Sequence, residues 1–70
     1  MSPRKQAEKE LKEAGFEMRK RKGHDHDIFL DPITQEFITL RRSSHFDENE
    51  LKRIRSEIRS ILRMREKLGR

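Results

Sequence analysis

The sequence predicts an α+β fold: a three-stranded antiparallel sheet with one helix before it and one after it, both packed on the same face. Two observations predict it. Apolar residues recur at helical spacing near both ends of the chain, and they alternate at strand spacing in the middle. Only 30% of the 70 residues are hydrophobic and 44% are charged, a composition that partly disordered chains share. The two periodicities favour a folded chain, and its length fits a single domain over residues 1–70.

The first helix is predicted from its cap and its spacing. Ser2 is a common N-cap residue, and Pro3 is tolerated at the first helical position. Apolar residues then recur at i, i+4 and i+7, namely Ala7, Leu11 and Ala14. Gly15 should end this helix, because glycine readily adopts the left-handed conformation that closes many helices.

Three strands are predicted between the helices. The first runs from Phe16 through a basic run to Lys22, just before Gly23. Segments 27–31 and 36–40 are rich in β-branched and aromatic residues, and the stretch 31–35, Asp-Pro-Ile-Thr-Gln, has turn chemistry. These two segments should form a hairpin.

Alternation along the strands assigns side chains to two faces of the sheet. The inner, helix-covered face is expected to hold Phe16, Met18, Ile28, Leu30, Ile38 and Leu40. The outer face is then expected to hold Glu17, Arg19, Arg21, Phe29, Phe37, Thr39 and Arg41. Aromatic rings among cations indicate an interaction surface, where the rings stack on unpaired bases or are covered by a protein partner or by part of this chain.

The second helix is predicted to begin at Asp47, which forms a capping box with Glu50, and to reach Lys67 or Leu68. Its apolar stripe is Leu51, Ile54, Ile58, Ile61, Leu62 and Leu68. At about 1.5 Å per residue the helix exceeds the strands in length, so its end could pair with a helix of a second copy. Its positive charges form either a solvated face or a phosphate-binding surface: Arg59, Arg63, Arg65, Lys67 and Arg70.

Charge and composition limit the function classes. A formal net charge of +5 attracts polyanions, and binding through phosphates should weaken steeply with salt. The chain has no cysteine, which excludes disulfides and thiolate metal sites. No apolar run approaches the roughly 20 residues that span a bilayer, so we expect no membrane partner and a cytoplasmic location.

The segment Leu11-Lys12-Glu13-Ala14-Gly15-Phe16, followed by Lys22-Gly23-His24-Asp25-His26-Asp27-Ile28-Phe29, resembles the HicA-type toxins of bacterial and archaeal toxin–antitoxin systems. Ile38-Thr39-Leu40-Arg41 is similar to the last strand of that family, so the resemblance covers about residues 7 to 42. It implies a fold like that of double-stranded RNA-binding domains. It also implies a metal-independent endoribonuclease (mRNA interferase) that is neutralised by a HicB-like antitoxin protein.

By position, the resemblance places the functional histidine of the family at His26, with His24 as a second candidate. Histidine suits RNA cleavage because imidazole gains and loses a proton near neutral pH. The expected RNA-binding residues are Arg19, Lys20, Arg21, Lys22, Gly23 and Arg41. Cations of this kind hold phosphate and offset transition-state charge, although a basic strand is also a common solvated edge.

The stretch His24-Asp25-His26-Asp27 could instead bind a metal ion, because residues two apart on a strand project to one side. His45 is the only other histidine, and structural zinc sites nearly always use four protein ligands. We therefore expect no metal and no cofactor.

Two other classes of function compete with the nuclease. One is a non-catalytic nucleic-acid-binding or regulatory protein on the same scaffold. The other is a protein-interaction module whose phenylalanine-bearing face and basic charge dock on an acidic partner.

Overall fold

The computed structural model describes residues 2–19, 26–41 and 46–69. Over these ranges the chain forms helix α1 (Pro3–Glu13), strands β1 (Glu17–Arg19), β2 (His26–Leu30) and β3 (Phe37–Arg41), and helix α2 (Glu48–Leu68). The strands form one antiparallel sheet in the order β1-β2-β3, with β2 in the centre. The predicted α+β class and α-β-β-β-α order are confirmed.

Both helices begin at the predicted caps. The Ser2 hydroxyl accepts a hydrogen bond from the Lys5 N–H at 3.3 Å, and the Asp47 carboxylate accepts one from the Glu50 N–H at 3.1 Å. Gly15 follows the first helix with φ 90°, the left-handed region expected of it. The second helix ends at Leu68, as predicted.

The turn between β2 and β3 sets the register of the hairpin. Gln35 lies in the left-handed region with φ 67°, and its N–H donates to the Asp31 carbonyl at 2.9 Å. The Asp31 N–H donates to the Glu36 carbonyl at 2.8 Å. Leu30 therefore pairs with Phe37, and each odd-numbered residue of β2 pairs with an even-numbered residue of β3.

This register corrects the predicted faces of β2. Phe29 pairs with Ile38 and is completely buried, whereas Ile28 and Leu30 lie half-buried on the outer face. The prediction that Ile28 and Leu30 face the helices was wrong, because a one-residue change of register exchanges the faces of a strand. The β3 assignment is confirmed: Ile38 and Leu40 are buried, and Phe37, Thr39 and Arg41 lie on the outer face.

The core lies between the inner face of the sheet and the two helices. It consists of Ala7, Leu11, Phe16, Phe29, Ile38, Leu40, Phe46, Leu51, Ile54, Ile58 and Ile61. Both helices contribute to this one cluster, so they cover the same face of the sheet. Leu62 and Leu68, predicted as part of the stripe, are exposed. Neither helix, within the residues described, is long and apolar enough to cross a membrane.

Two buried aspartates flank Phe29 on the inner side of the central strand, and each binds an arginine of one helix. Arg4 of α1 donates from Nη2 to Asp27 Oδ2 at 2.8 Å and from Nε to the Arg41 carbonyl at 2.8 Å. It also contacts Glu8. This arginine fixes the start of α1 to the end of the hairpin opposite the turn.

The second buried aspartate, Asp31, holds the far end of α2. It accepts hydrogen bonds from Arg65 Nη2 at 2.8 Å and from Thr34 Oγ1 at 2.7 Å, and its side chain is fully buried. Burial raises the pKa of Asp31, but bonds from Arg65, Thr34 and the Ile33 N–H outweigh it and lower the pKa from 3.8 to about 2. Arg65, predicted to be solvated or phosphate-binding, is instead a structural residue, and its guanidinium also lies 5.4 Å from the Phe16 ring centroid.

Candidate nucleic-acid interface

The face of the sheet away from the helices is the candidate site. Alternation along the three strands places eight side chains on this outer sheet face: Glu17, Arg19, His26, Ile28, Leu30, Phe37, Thr39 and Arg41. Strand pairing arranges them in rows across the sheet. One row is Glu17–Leu30–Phe37, and the next is Arg19–Ile28–Thr39. The last row has only two members, His26 of β2 and Arg41 of β3.

The middle of the outer sheet face is apolar. Ile28 and Leu30 are half-buried there, and Phe37 is 58% exposed beside Leu30. Both helices pack on the opposite face, so among the residues that the structure describes these side chains are covered only by their neighbours in the sheet. An exposed ring on such a surface can stack on an unpaired base or pack against a partner protein.

His26 and Arg41 lie side by side at one end of this face. They are directly paired across β2 and β3, which places their Cβ atoms roughly 4.5–5.5 Å apart. Both side chains are exposed. The Arg41 backbone is held in place because its carbonyl accepts the bond from Arg4. A proton-transfer group thus stands next to a guanidinium that can hold a phosphate.

The structure brings together three of the site residues predicted from the sequence. Arg19 joins His26 and Arg41 on the outer sheet face, in the neighbouring row next to Ile28. An exposed ion pair joins Arg19 Nη2 to Glu17 Oε2 at 3.1 Å, and pairs of this kind contribute little and exchange readily. The remaining predicted residues lie outside the described residues: Lys20, Arg21, Lys22, Gly23 and His24.

Two residues of the metal-binding alternative, His24 and Asp25, lie outside the described residues, and the other two are His26 and Asp27. These neighbours lie on opposite faces of β2, with the Asp27 carboxylate turned inward to Arg4, so they cannot share an ion. In the ranges 2–19, 26–41 and 46–69, no three side chains of metal-binding type are grouped.

Sequence reasoning missed the apolar contribution of β2 to this face. Ile28 and Leu30 were expected in the core, and Phe29 was expected on the surface. The sequence did contain a signal for the register. Asp31 is followed three residues later by Thr34, and the Asp31 side chain caps the turn between them, which fixes the length of the hairpin loop. The turn length determines the register and therefore the face of every residue in the strand.

Fold and outer face together define a class: a small basic α+β protein whose open sheet face carries histidine, arginine and an exposed aromatic ring. Comparison of the chain with known protein families, with curated proteins and with solved structures found no match.

Proposed function

We propose that this protein is a HicA-like toxin, an endoribonuclease that cleaves messenger RNA without a metal ion and uses His26 as general acid or base. The observation that supports the proposal most is the direct pairing of His26 with Arg41 on the open sheet face. The resemblance of segments 11–16 and 22–29 to HicA-type toxins supports it independently.

The proposed reaction uses the 2′-hydroxyl of the RNA as nucleophile. His26 takes the proton of this hydroxyl, the 2′-oxygen forms a bond to phosphorus, and the bond from phosphorus to the 5′-oxygen breaks. The products are a 2′,3′-cyclic phosphate and a 5′-hydroxyl, the leaving oxygen taking its proton from water or from a second acid. Arg41 would hold the phosphate and offset the charge that develops on it.

The exposed ring of Phe37 supports a single-stranded substrate. Phe37 lies four residues from Arg41 on β3, about 13 Å at roughly 3.3 Å per residue. An unpaired base can stack on such a ring while a phosphate further along the strand reaches Arg41, and sequence-tolerant stacking of this kind is common in single-strand binding. Bases inside a duplex are not accessible in this way.

The same face also supports a HicB-like antitoxin as partner. Phe37 and its half-buried neighbours Ile28 and Leu30 present apolar surface that a protein could cover. A protein bound there would exclude RNA from His26, which gives a physical route to neutralisation.

The test is cleavage of a single-stranded RNA oligonucleotide in the presence of chelator, by purified wild-type protein and by His26→Ala and His24→Ala. We expect cleavage by wild type and by His24→Ala and none by His26→Ala. Replacing the ribose at the cleaved bond with 2′-deoxyribose should prevent cleavage, since the nucleophile is then missing.

A matched pair of arginine variants distinguishes a specific role of Arg41 in cleavage from an effect of net charge. Arg41→Gln should slow cleavage, whereas Arg63→Gln, the same charge change on α2, should leave the rate on a short oligonucleotide unchanged. Equal cleavage by wild type and His26→Ala would refute the assignment of the base. RNA binding without any cleavage would leave the non-catalytic nucleic-acid-binding protein as the function.

A further inference from the structure

The cations of α2 fall into two groups. Three arginines form ion pairs: Arg53 with Glu50 and Glu57, Arg55 with Glu10, and Arg65 with Asp31. The pairing of Arg55 is bidentate, with Nη2 at 2.8 Å from Glu10 Oε2, and this bond and others lower the pKa of Glu10. These arginines hold the helices and the sheet together or offset neighbouring acids.

The second group has no such partner in the part of the chain that the structure describes. It consists of Lys52, Arg59, Arg63 and Lys67, which we call the α2 stripe; all four are exposed. Their spacings of seven, four and four residues place them on one side of the helix. The stripe is about 22 Å long at 1.5 Å per residue, and it lies opposite the buried side of Ile54, Ile58 and Ile61.

We propose that the α2 stripe binds the phosphate backbone of nucleic acid without reading its sequence. Four cations along one side of a rigid helix outnumber Glu66, the exposed acid seven residues after Arg59 on this side, and match the regular negative charge of a phosphodiester chain. Two serines also lie between the cations on this side, Ser56 and Ser60, and they can donate hydrogen bonds to phosphate but cannot stack on bases. The stripe therefore supplies affinity and no base recognition.

The chemistry of the stripe favours nucleic acid over a membrane surface. A helix that lies in a membrane interface needs apolar side chains that insert next to its cations. The exposed apolar residues Leu62 and Met64 each lie about 100° around the helix from Arg63, on its flanks. The stripe itself offers only charged and hydroxyl groups.

The stripe and the outer sheet face lie on opposite sides of the molecule, because the helices cover the inner face of the sheet. A short oligonucleotide at His26 does not need the stripe, whereas a longer or folded RNA can contact both surfaces. This inference does not depend on the proposed function. The two can fail separately, because cleavage of short RNA reports on His26 and binding of long nucleic acid reports on the stripe.

The test uses the full chain and a 30-base-pair duplex, as RNA and as DNA. The stripe variant is Lys52→Gln/Arg59→Gln/Arg63→Gln. The matched control removes the same charge from exposed positions of α1, Lys5→Gln/Lys9→Gln/Lys12→Gln, where Glu8 and Glu13 lie among the lysines. Glutamine, lysine and arginine have similar helix propensities, so both variants should fold, which far-UV circular dichroism checks.

Each phosphate contact on a duplex makes the slope of log affinity against log salt more negative by about 0.9, and so strengthens binding roughly eightfold at 0.1 M salt relative to 1 M. Loss of three contacts should therefore weaken binding at 0.1 M salt by about 500-fold and make the slope less steep by about 2.7. The α1 control should lose far less. Arg59→Lys/Arg63→Lys should bind like wild type, since charge alone is required.

Three outcomes would overturn the proposal. Equal losses in the stripe and α1 variants would show that binding follows net charge alone. Unchanged duplex affinity in the stripe variant, or stripe-dependent binding to vesicles of anionic lipid with none to duplexes, would remove nucleic acid as the ligand. We expect the stripe variant to cleave short RNA at the wild-type rate.

Discussion

Replacing Asp31 with asparagine should cost the protein about 3 kcal/mol of unfolding free energy. Removing one partner of a buried ion pair costs about 3–5 kcal/mol, because the other charge is left unpaired. Arg65 keeps some contact with water, since its side chain is 18% exposed, which places the loss at the lower end. The pKa of Asp31 gives an independent figure: a decrease from 3.8 to about 2 corresponds to about 2 kcal/mol in favour of the charged form.

Urea unfolding at pH 7, followed by far-UV circular dichroism, measures this loss. The matched control is Asp47→Asn, the same chemical change at the N-cap of α2, where asparagine is as good a cap as aspartate. The control should change the unfolding free energy by less than about 0.5 kcal/mol. Adding Arg65→Met to Asp31→Asn should restore part of the loss, because no unpaired charge then remains. Equal stability of Asp31→Asn and Asp47→Asn would refute the ion pair as the main link between α2 and the hairpin.

Three further predictions concern pH, base stacking and the first turn. The pKa of Asp31 is lower in the folded than in the unfolded state, so its contribution to stability is complete above about pH 4 and is lost towards pH 2. In urea titrations across this range, wild type should lose about 2 kcal/mol more unfolding free energy than Asp31→Asn does. Phe37→Ala should weaken single-stranded RNA binding by about 1–3 kcal/mol with little change in stability. The control is Ile33→Ala, which should leave RNA affinity unaltered because Ile33 is equally exposed, at 58%, but lies in the turn. Equal RNA affinities of the two variants would show that Phe37 is not part of the interface. Gly15→Ala should lower the unfolding free energy by about 1–2 kcal/mol, because an alanine at φ 90° has a strained backbone. The added Cβ itself would cause no clash, since its nearest neighbour, Arg65, lies at an ordinary contact distance of 3.6 Å. An unchanged urea midpoint would contradict the predicted backbone strain.

The local structure of this chain was predictable because short-range chemistry determines it. Ser2, Gly15 and Asp47 act through their own backbone or that of residues within one turn, so the limits of both helices follow from the sequence. The order of strands also follows, since the turn residues and the β-branched segments lie next to each other in the chain.

The prediction failed at the faces of β2, where the turn from Asp31 to Thr34 sets the register and distant partners of the buried aspartates permit it. Ile28 and Leu30 look like core residues, and aspartates at positions 27 and 31 argue against burial of that side. Burial of Asp27 and Asp31 is possible because Arg4 and Arg65 neutralise them from 23 and 34 residues away. No local pattern reveals these pairings, and the apparent core pattern of Ile28 and Leu30 outweighed the local signal of the Asp31–Thr34 turn, so the apolar part of the candidate interface was not predicted.

Expression in bacterial cells tests the central claim, that His26 on the outer sheet face makes this protein an RNA-cleaving toxin, most directly. Growth should stop when the wild-type protein or His24→Ala is produced, with loss of intact messenger RNA, and should continue when His26→Ala is produced at the same level. Growth arrest by His26→Ala equal to that of wild type, or no arrest by wild type, would contradict the claim.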